Sequence, residues 1–422
     1  MTTSYPTNYR EWLEKLVGFN TISSRSNLPL VHYVRDYLAS VGVAAVLVPG
    51  EGAERDTHAN LWVTLPPTAP PPSAARPLAP VWCSGGLILS GHTDVVPVAG
   101  QAWTTDPFRL TYREADRCYY GRGTADMKGF LAVVLALTPT FLAMPRRAPI
   151  HYAFSYNEEI GCLGVPYLIR YLQKVEVNGK PFTADGCLVG EPTGMKVNIG
   201  NKGICMWEVK VRGKPIHSSR AMLGTSCNAI DYAAQLVMKI KELAIAIRDH
   251  GHHDERYECP FACVTTGLIS GGNAVNTVPE HCSFSFSIRI LKREEALQLE
   301  KDLQAYVEAT VLPEMRREFA DATVDIIRGP NFPAFNGDEK APFTQQAMHL
   351  CHVQKTGTTS GGTEAGFFQE TLNIPTVISG PGEGRYIHLA DERVSVALMD
   401  QCMQMVKDLA TLLTSAGKQG NL

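Results

Sequence analysis

The sequence predicts an α/β fold with a mostly parallel sheet, interrupted by an α+β unit of antiparallel sheet plus two helices. Three observations predict it. First, three apolar runs stop abruptly at polar residues: Leu87–Leu89 before His92, Ile150–Tyr156 before Glu158 and Glu159, and Gly186–Val189 before Glu191. Second, helical patterns lie between these runs. Third, the style changes near Lys202 to a β-α-β-β-α-β order and returns to α/β near Pro330. Residues 1–195 and 330–422 are therefore expected to form one domain, with 196–329 inserted into it.

Tyr9–Val17 carries Trp12, Leu13, Leu16 and Val17 at helical spacing. Leu30–Val41 repeats the pattern with Val31, Val34 and Leu38, and Gly42 is its stop. Ala44–Val48 and Asn60–Leu65 read as short strands. The Pro- and Ala-rich stretch 66–80 cannot hold a strand ladder and is expected to be an extended, exposed loop. The apolar run Phe130–Met144 contains Thr138, Pro139 and Thr140 and is short for a membrane span, so a buried helix is expected. Gly164–Leu172 reads as helical. In the inserted part, Lys202–Val211 alternates as a half-exposed strand and Asn228–Ile247 is a long helix. Phe261–Ile269 and His281–Leu291 are strands, Glu294–Val311 a helix and Ala322–Ile327 a last strand. The chain then gives a helix at Phe343–Cys351, a buried strand at Ile374–Ser379 and a final helix at Val394–Leu413.

Composition narrows the class. At 422 residues the chain is too long for one simple core, and 45% hydrophobic with 19% charged residues is ordinary for a globular enzyme. A net charge of −3 gives no reason to expect nucleic acid or an anionic membrane as partner. The 11 Cys include no CxxC pair, the closest spacing being Cys259 to Cys263, which points to reduced thiols and against a zinc ribbon. No basic stretch followed by an apolar one opens the sequence, so no signal peptide is expected and the expected location is cytoplasmic.

Open α/β sheets keep their chemistry beyond the carboxyl ends of their strands. His92, Asp126, Glu159, Glu191 and His388 are the candidate metal ligands. This mixed nitrogen and oxygen set suits zinc, with cobalt or manganese as substitutes. Five donors exceed the need of one tetrahedral ion with an open position and suit two ions sharing a carboxylate. Asp126 lies in the Gly-rich turn Gly121–Gly129 at the mouth of a helix and is the natural bridge; its alternative is a helix N-cap. Asp94, two residues after His92, is placed to orient that imidazole, although His92–Thr93–Asp94 alone reads equally as a polar loop. Adjacent residues leaving a strand point in different directions. Glu158 is therefore assigned as general base and Glu159 as ligand, the alternative being two solvated acids. The run His250–Glu255 follows a long helix without a framework of other donors and reads as a solvated loop.

The segments GHTDVVP, GTADMKG, NEE after a strand, GEPT and a late His before xxDE resemble a family of metallo-amidohydrolases. That family includes acetylornithine deacetylase, succinyl-diaminopimelate desuccinylase, aminoacylase and carboxypeptidase G. The resemblance runs in order over nearly the whole chain. WTTDPFRL, YGRGTADMKGF, GEPTGMKVNIGNKG, IHSSRAMLGTSCNAI and GTEAGFFQETLNIPTVISGPG look most like the acetylornithine deacetylase branch.

The resemblance implies a zinc-peptidase-like catalytic domain interrupted by a lid or dimerisation domain, a homodimer and two Zn2+. One ion would be held by His92 and Glu191, the other by Glu159 and His388, with Asp126 between them. Asp94 would support His92, and Glu158 would serve as base and then acid. His217, in KPIHSS, would help hold an oxyanion in the partner's site; its alternative is a His in a surface turn. Arg289 sits in the otherwise apolar FSFSIRI, where burial without an anion is costly, and would bind the substrate carboxylate. Asn276 would assist there, and Gly362, Thr363 and Glu364 would line the pocket. The chain departs from the family pattern at Asn157, where Asp is usual, and at Leu389–Ala390, where a residue–Pro pair is commoner. The expected reaction is hydrolysis of an N-acyl amino acid, with N2-acetylornithine of arginine biosynthesis leading. Other N-acyl amino acids, small dipeptides, a single-metal peptidase and a non-catalytic metal-binding scaffold stay open.

Overall fold

The computed structural model describes residues 4–68 and 79–414, so most of the loop expected at 66–80 lies outside the described residues. The chain divides into two units. One runs through Gly200 and resumes over Asn336–Thr358 and from Thr363; the other comprises Asn201–Phe335 and Thr359–Gly362.

The first unit is built on a mixed sheet. Seven of its nine strands run in the order Ala45–Pro49, Ala59–Leu65, Ile150–Ser155, Leu87–His92, Gly186–Val189, Thr376–Ile378 and Asn198–Asn201. The four central strands are mutually parallel, while both flanks are antiparallel. The connection from Pro49 to Ala59 is too short for a helical crossover, which a parallel pair would need. The sheet is thus parallel only where helices separate its strands in sequence.

Leu87–His92, Ile150–Ser155 and Gly186–Val189 are buried along their whole length. Strands covered on both faces read as continuous apolar runs rather than as alternating ones. The helix Lys128–Ala143 is buried from Lys128 through Thr138 and packs with Tyr9–Val17 and Val396–Thr414. Pro139 lies inside it and cannot donate to the Leu135 carbonyl one turn back. The Tyr37 hydroxyl donates to that carbonyl instead, at 3.4 Å. Gly190 lets this helix approach the sheet, because a Cβ there would lie 2.0 Å from the Phe130 ring.

The second unit is a four-stranded antiparallel sheet in the order Cys263–Gly271, His281–Ile290, Gly203–Arg212 and Thr323–Phe332. Along His281–Ile290, Cys282, Phe284, Phe286, Ile288 and Ile290 are buried. They form one core with Leu236 and Ile240 of the helix Ala229–His250 and with Leu299 and Leu303 of Arg293–Tyr306. The single helix expected over Glu294–Val311 continues through a π-helical turn at Val307–Val311 into Leu312–Glu318. Three short strands of the first unit, Thr111–Arg113, Cys118–Tyr120 and Arg393–Ser395, form a separate sheet that no periodicity announces. Among the described residues, no helix is long and apolar enough to cross a membrane.

Candidate active site

The parallel strands of the first unit deliver side chains to one edge. Leu87–His92 ends in His92, whose Nδ1 faces the Asp94 backbone carbonyl at 3.0 Å. A carbonyl only accepts, so Nδ1 carries hydrogen and Nε2 points at the site. Nε2 lies 3.0 Å from Asp126 Oδ1 and 3.8 Å from Glu191 Oε1. Asp126 precedes the helix Lys128–Ala143 but does not cap it; Met127 is the N-cap residue, without a side-chain cap bond. The other oxygen of Asp126 lies 3.3 Å from His388 Nε2, which is 2.9 Å from Glu159 Oε2. His388 takes a left-handed backbone, φ 60°, on its way to the cluster.

The Asp94 carboxylate is 3.6 Å from His92 Nδ1, and its stronger contacts lie elsewhere. It accepts the backbone N–H of Glu158 at 3.0 Å and of Glu159 at 3.3 Å, and the Ser23 hydroxyl at 2.6 Å. Asp94 therefore holds the turn that presents both glutamates. Asn157, left-handed at φ 52°, starts that turn, and its side chain donates to Glu54 at 2.7 Å. Asn tolerates this backbone better than most residues.

Among the described residues, donor atoms of His92, Asp126 and Glu159 lie within 4.8 Å of one another, as do those of His92, Glu158 and Glu191. The run His250–Glu255 belongs to neither set. Burial first, then the charges of Glu159, Asp94 and Asp126, push Glu158 well above the usual carboxylate range against the pull of His92. Glu191 is raised in the same way by burial, Asp126 and Glu158. Burial and Asp126 raise Glu159 to about 7. Hydrogen bonds to Asp126 and Glu159 raise His388 to about 10. Buried Oε1 atoms of Glu159 and Glu191 have no hydrogen-bond partner. Crowded carboxylates, two imidazoles and two orphaned oxygens fit a bound divalent cation, and the nitrogen and oxygen donors suit a zinc-type ion.

Two acids brace the site in a way the sequence does not assign. Glu392, fully buried, accepts the backbone N–H groups of Gly123 at 3.1 Å and of Ala125 and Asp126 at 2.9 Å. It also pairs with Arg122 at 2.5 Å. Arg122 donates to Gln101 at 2.7 Å, and Gln101 donates to the His388 carbonyl at 2.8 Å. Glu364, expected in the pocket lining, is almost wholly buried and accepts from Ser90 at 2.8 Å and from Ser155. The Glu392 signal was present as the acid of the late His–xxDE segment, but nothing in the sequence links it to the glycine-rich turn.

The remaining predicted residues lie mostly on the second unit. His217 is exposed, pairs through its backbone with Thr277, and has Nδ1 2.9 Å from Ser219 Oγ. Ser218 donates to the Asn276 carbonyl at 2.9 Å, so His217 and Asn276 are neighbours. Arg289 is only half-buried, on the strand face that carries Ser283, Ser285 and Ser287. Its burial costs less than an otherwise apolar strand implies. Gly362 lies against Phe332 in the second unit, where a Cβ would meet the ring at 1.8 Å, while Thr363 is buried in the first.

A cluster of His and carboxylate donors at the carboxyl edge of a parallel sheet marks a metal-dependent hydrolase. The sequence description of peptidase family M20/M25/M40 matches residues 88–412, and the chain belongs to that family of hydrolases. It is 31% identical over 396 residues to an acetylornithine deacetylase of Myxococcus xanthus, covering 93% of this chain and 94% of that one. The fold is similar to that of a tripeptidase from Staphylococcus aureus, with TM-score 0.69, 18% identity, and coverage of 96% of this chain and 98% of that one. It is also similar to a protein of Bacillus subtilis described as a dinuclear metal-binding peptidase of the M20 family. There the TM-score is 0.63 at 13% identity, covering 96% and 97% of the two chains.

Proposed function

We propose that this protein is a two-zinc amidohydrolase that cleaves N2-acetylornithine to ornithine and acetate, a step of arginine biosynthesis in the cytoplasm. The observation that carries the reading is Glu158: its backbone is held by Asp94, and its carboxylate shares one donor set with His92 and Glu191. His92 and Glu191 would hold one ion, Glu159 and His388 the other, and Asp126 both. When bound, the ions would supply Lewis-acid polarisation of the amide carbonyl and acidify the attacking water. Glu158 takes the proton of that water and delivers it to the leaving amine nitrogen. Arg289, with Asn276, is assigned to the substrate carboxylate, for which a planar guanidinium is well shaped. Gly362 and Thr363 are assigned to the pocket lining. His217 is assigned to the oxyanion, in a homodimer that pairs each active centre with the His217 of a second copy. The similarity to an acetylornithine deacetylase over nearly the whole chain supports the substrate, and the dinuclear relative supports the metal count.

The test is amine release by zinc-loaded protein from acetylornithine, acetylmethionine, succinyl-diaminopimelate and a dipeptide, with Glu158→Ala alongside. Acetylornithine is expected to turn over fastest. The variant is expected to lose at least about 10²–10⁴-fold in kcat. Faster turnover of another member would replace the substrate. An unchanged Glu158→Ala rate would remove the mechanism.

A further inference from the structure

The inserted unit holds a group of reactive side chains that the hydrolysis does not use. Cys259 Sγ and Cys263 Sγ stand 2.7 Å apart, both partly exposed. The Phe261 carbonyl between them in sequence accepts from both thiols, at 3.6 and 3.5 Å. Lys202, almost wholly buried, donates from Nζ to the same carbonyl at 2.7 Å and lies 3.6 Å from Cys263 Sγ. The thiols do not meet by chance. The loop that carries Cys259 is pinned by Asp254 N–H to the Pro260 carbonyl at 2.7 Å, by backbone pairing of His253 with Phe261, and by the edge-to-face contact of their rings at 5.6 Å. Cys263 is fixed in the sheet opposite Arg289.

We propose that Cys259 and Cys263 are an oxidation site that closes to an intrachain disulfide on meeting a hydroperoxide. A thiol that is accessible, flanked by a cation and set beside a second thiol has the features of a redox-responsive pair. Cys259 is the attacking member, because it sits in the loop while Cys263 is held at the start of the strand Cys263–Gly271. Burial raises its thiol, but Cys263, the Phe261 peptide and Lys202 outweigh that and lower it, while Cys263 is raised. The Cys259 thiolate attacks the O–O bond of hydrogen peroxide, forming a sulfenic acid and, with one proton, releasing water. The Cys263 sulfur then attacks the Cys259 sulfur, so that S–S forms, S–O breaks and a second water leaves. Two thiols and one peroxide give one disulfide and two waters.

The experiment treats the full-length protein with hydrogen peroxide, blocks the remaining thiols with iodoacetamide and maps the peptides without reduction. The Cys259–Cys263 peptide is expected to lose two hydrogens and both alkylation sites. It should do so about tenfold faster than any of the other nine cysteines react, and dithiothreitol should restore it. In Cys259→Ser, Cys263 is expected to remain alkylatable. Lys202→Gln is expected to slow closure several-fold, but Lys202 is buried, so Cys259→Ser is the deciding variant. Two results overturn the proposal. One is that both thiols stay alkylatable while other cysteines oxidise. The other is that both are blocked in the reduced protein by a metal that a chelator removes.

Discussion

Glu392 touches no reacting atom, yet its two oxygens gather three backbone N–H groups of the Asp126 turn and the Arg122 guanidinium. Glu392→Gln would turn an amide N–H toward donors that need an acceptor and leave the buried Arg122 without its counter-charge. Breaking one half of a buried pair costs about 3–5 kcal/mol. Loosening the support of a metal ligand typically weakens metal binding by about 10–100-fold. Both effects are expected: a lower melting temperature, and a weaker zinc affinity in competition with a chelator. Unchanged affinity would show that the turn keeps its shape without Glu392.

Glu364 makes a different prediction. Burial, outweighing the pull of His92 and the Ser90 hydrogen bond, raises it to about 7 from the ordinary 4.5. A carboxyl raised by folding binds more protons folded than unfolded. Its contribution to stability is full below about 4.5 and is lost as pH rises through about 7. The difference is on the order of 3 kcal/mol. Urea midpoints of the wild type should fall between pH 5 and pH 8 by more than those of Glu364→Gln. Parallel pH profiles of the two proteins would rule Glu364 out as the source.

Secondary elements were legible where local pattern and tertiary role agree. Tyr9–Val17 is helical over the predicted span because its apolar face, Trp12, Leu13, Leu16 and Val17, is the face the core takes. The strands ending in His92, Ser155 and Val189 were legible because strands buried on both faces need unbroken apolar runs, which then stop at the sheet edge. The small sheet of Thr111–Arg113, Cys118–Tyr120 and Arg393–Ser395 was not, since three residues show no period. Nor was the Glu392 clamp, because Arg122 lies 270 residues away and backbone N–H groups leave no side-chain signal. Gly190, the residue before Glu191, carries no such signal either, yet its lack of a side chain sets how closely helix and sheet pack. Gly190→Ala would place a methyl 2.0 Å from the Phe130 ring. Overpacking of this kind costs about 1–3 kcal/mol. A melting temperature equal to that of the wild type would mean that Phe130 can move aside freely.

The two units share one chain, but the metal donors lie in only one of them. The His and carboxylate donors of the candidate centre, and the residues that brace them, all belong to the first unit, so ligation should stabilise that unit directly. Without a cation, its carboxylates repel one another and two buried oxygens lack partners. A ligand at 100 times its dissociation constant stabilises the folded state by about 2.7 kcal/mol per site. Zinc is therefore expected to raise the melting temperature and chelation to lower it. Hydrogen exchange should locate the effect: chelation should speed exchange at Gly121–Gly129, around Glu158 and around His388. The strands Gly203–Arg212 and His281–Ile290, whose core is the separate cluster of the second unit, should keep their protection. Loss of protection in both units together would mean that they unfold as one cooperative body and that the metal stabilises all of it. An unchanged melting temperature on chelation would mean instead that the acidic cluster is stable without an ion, removing the physical basis for placing metal there.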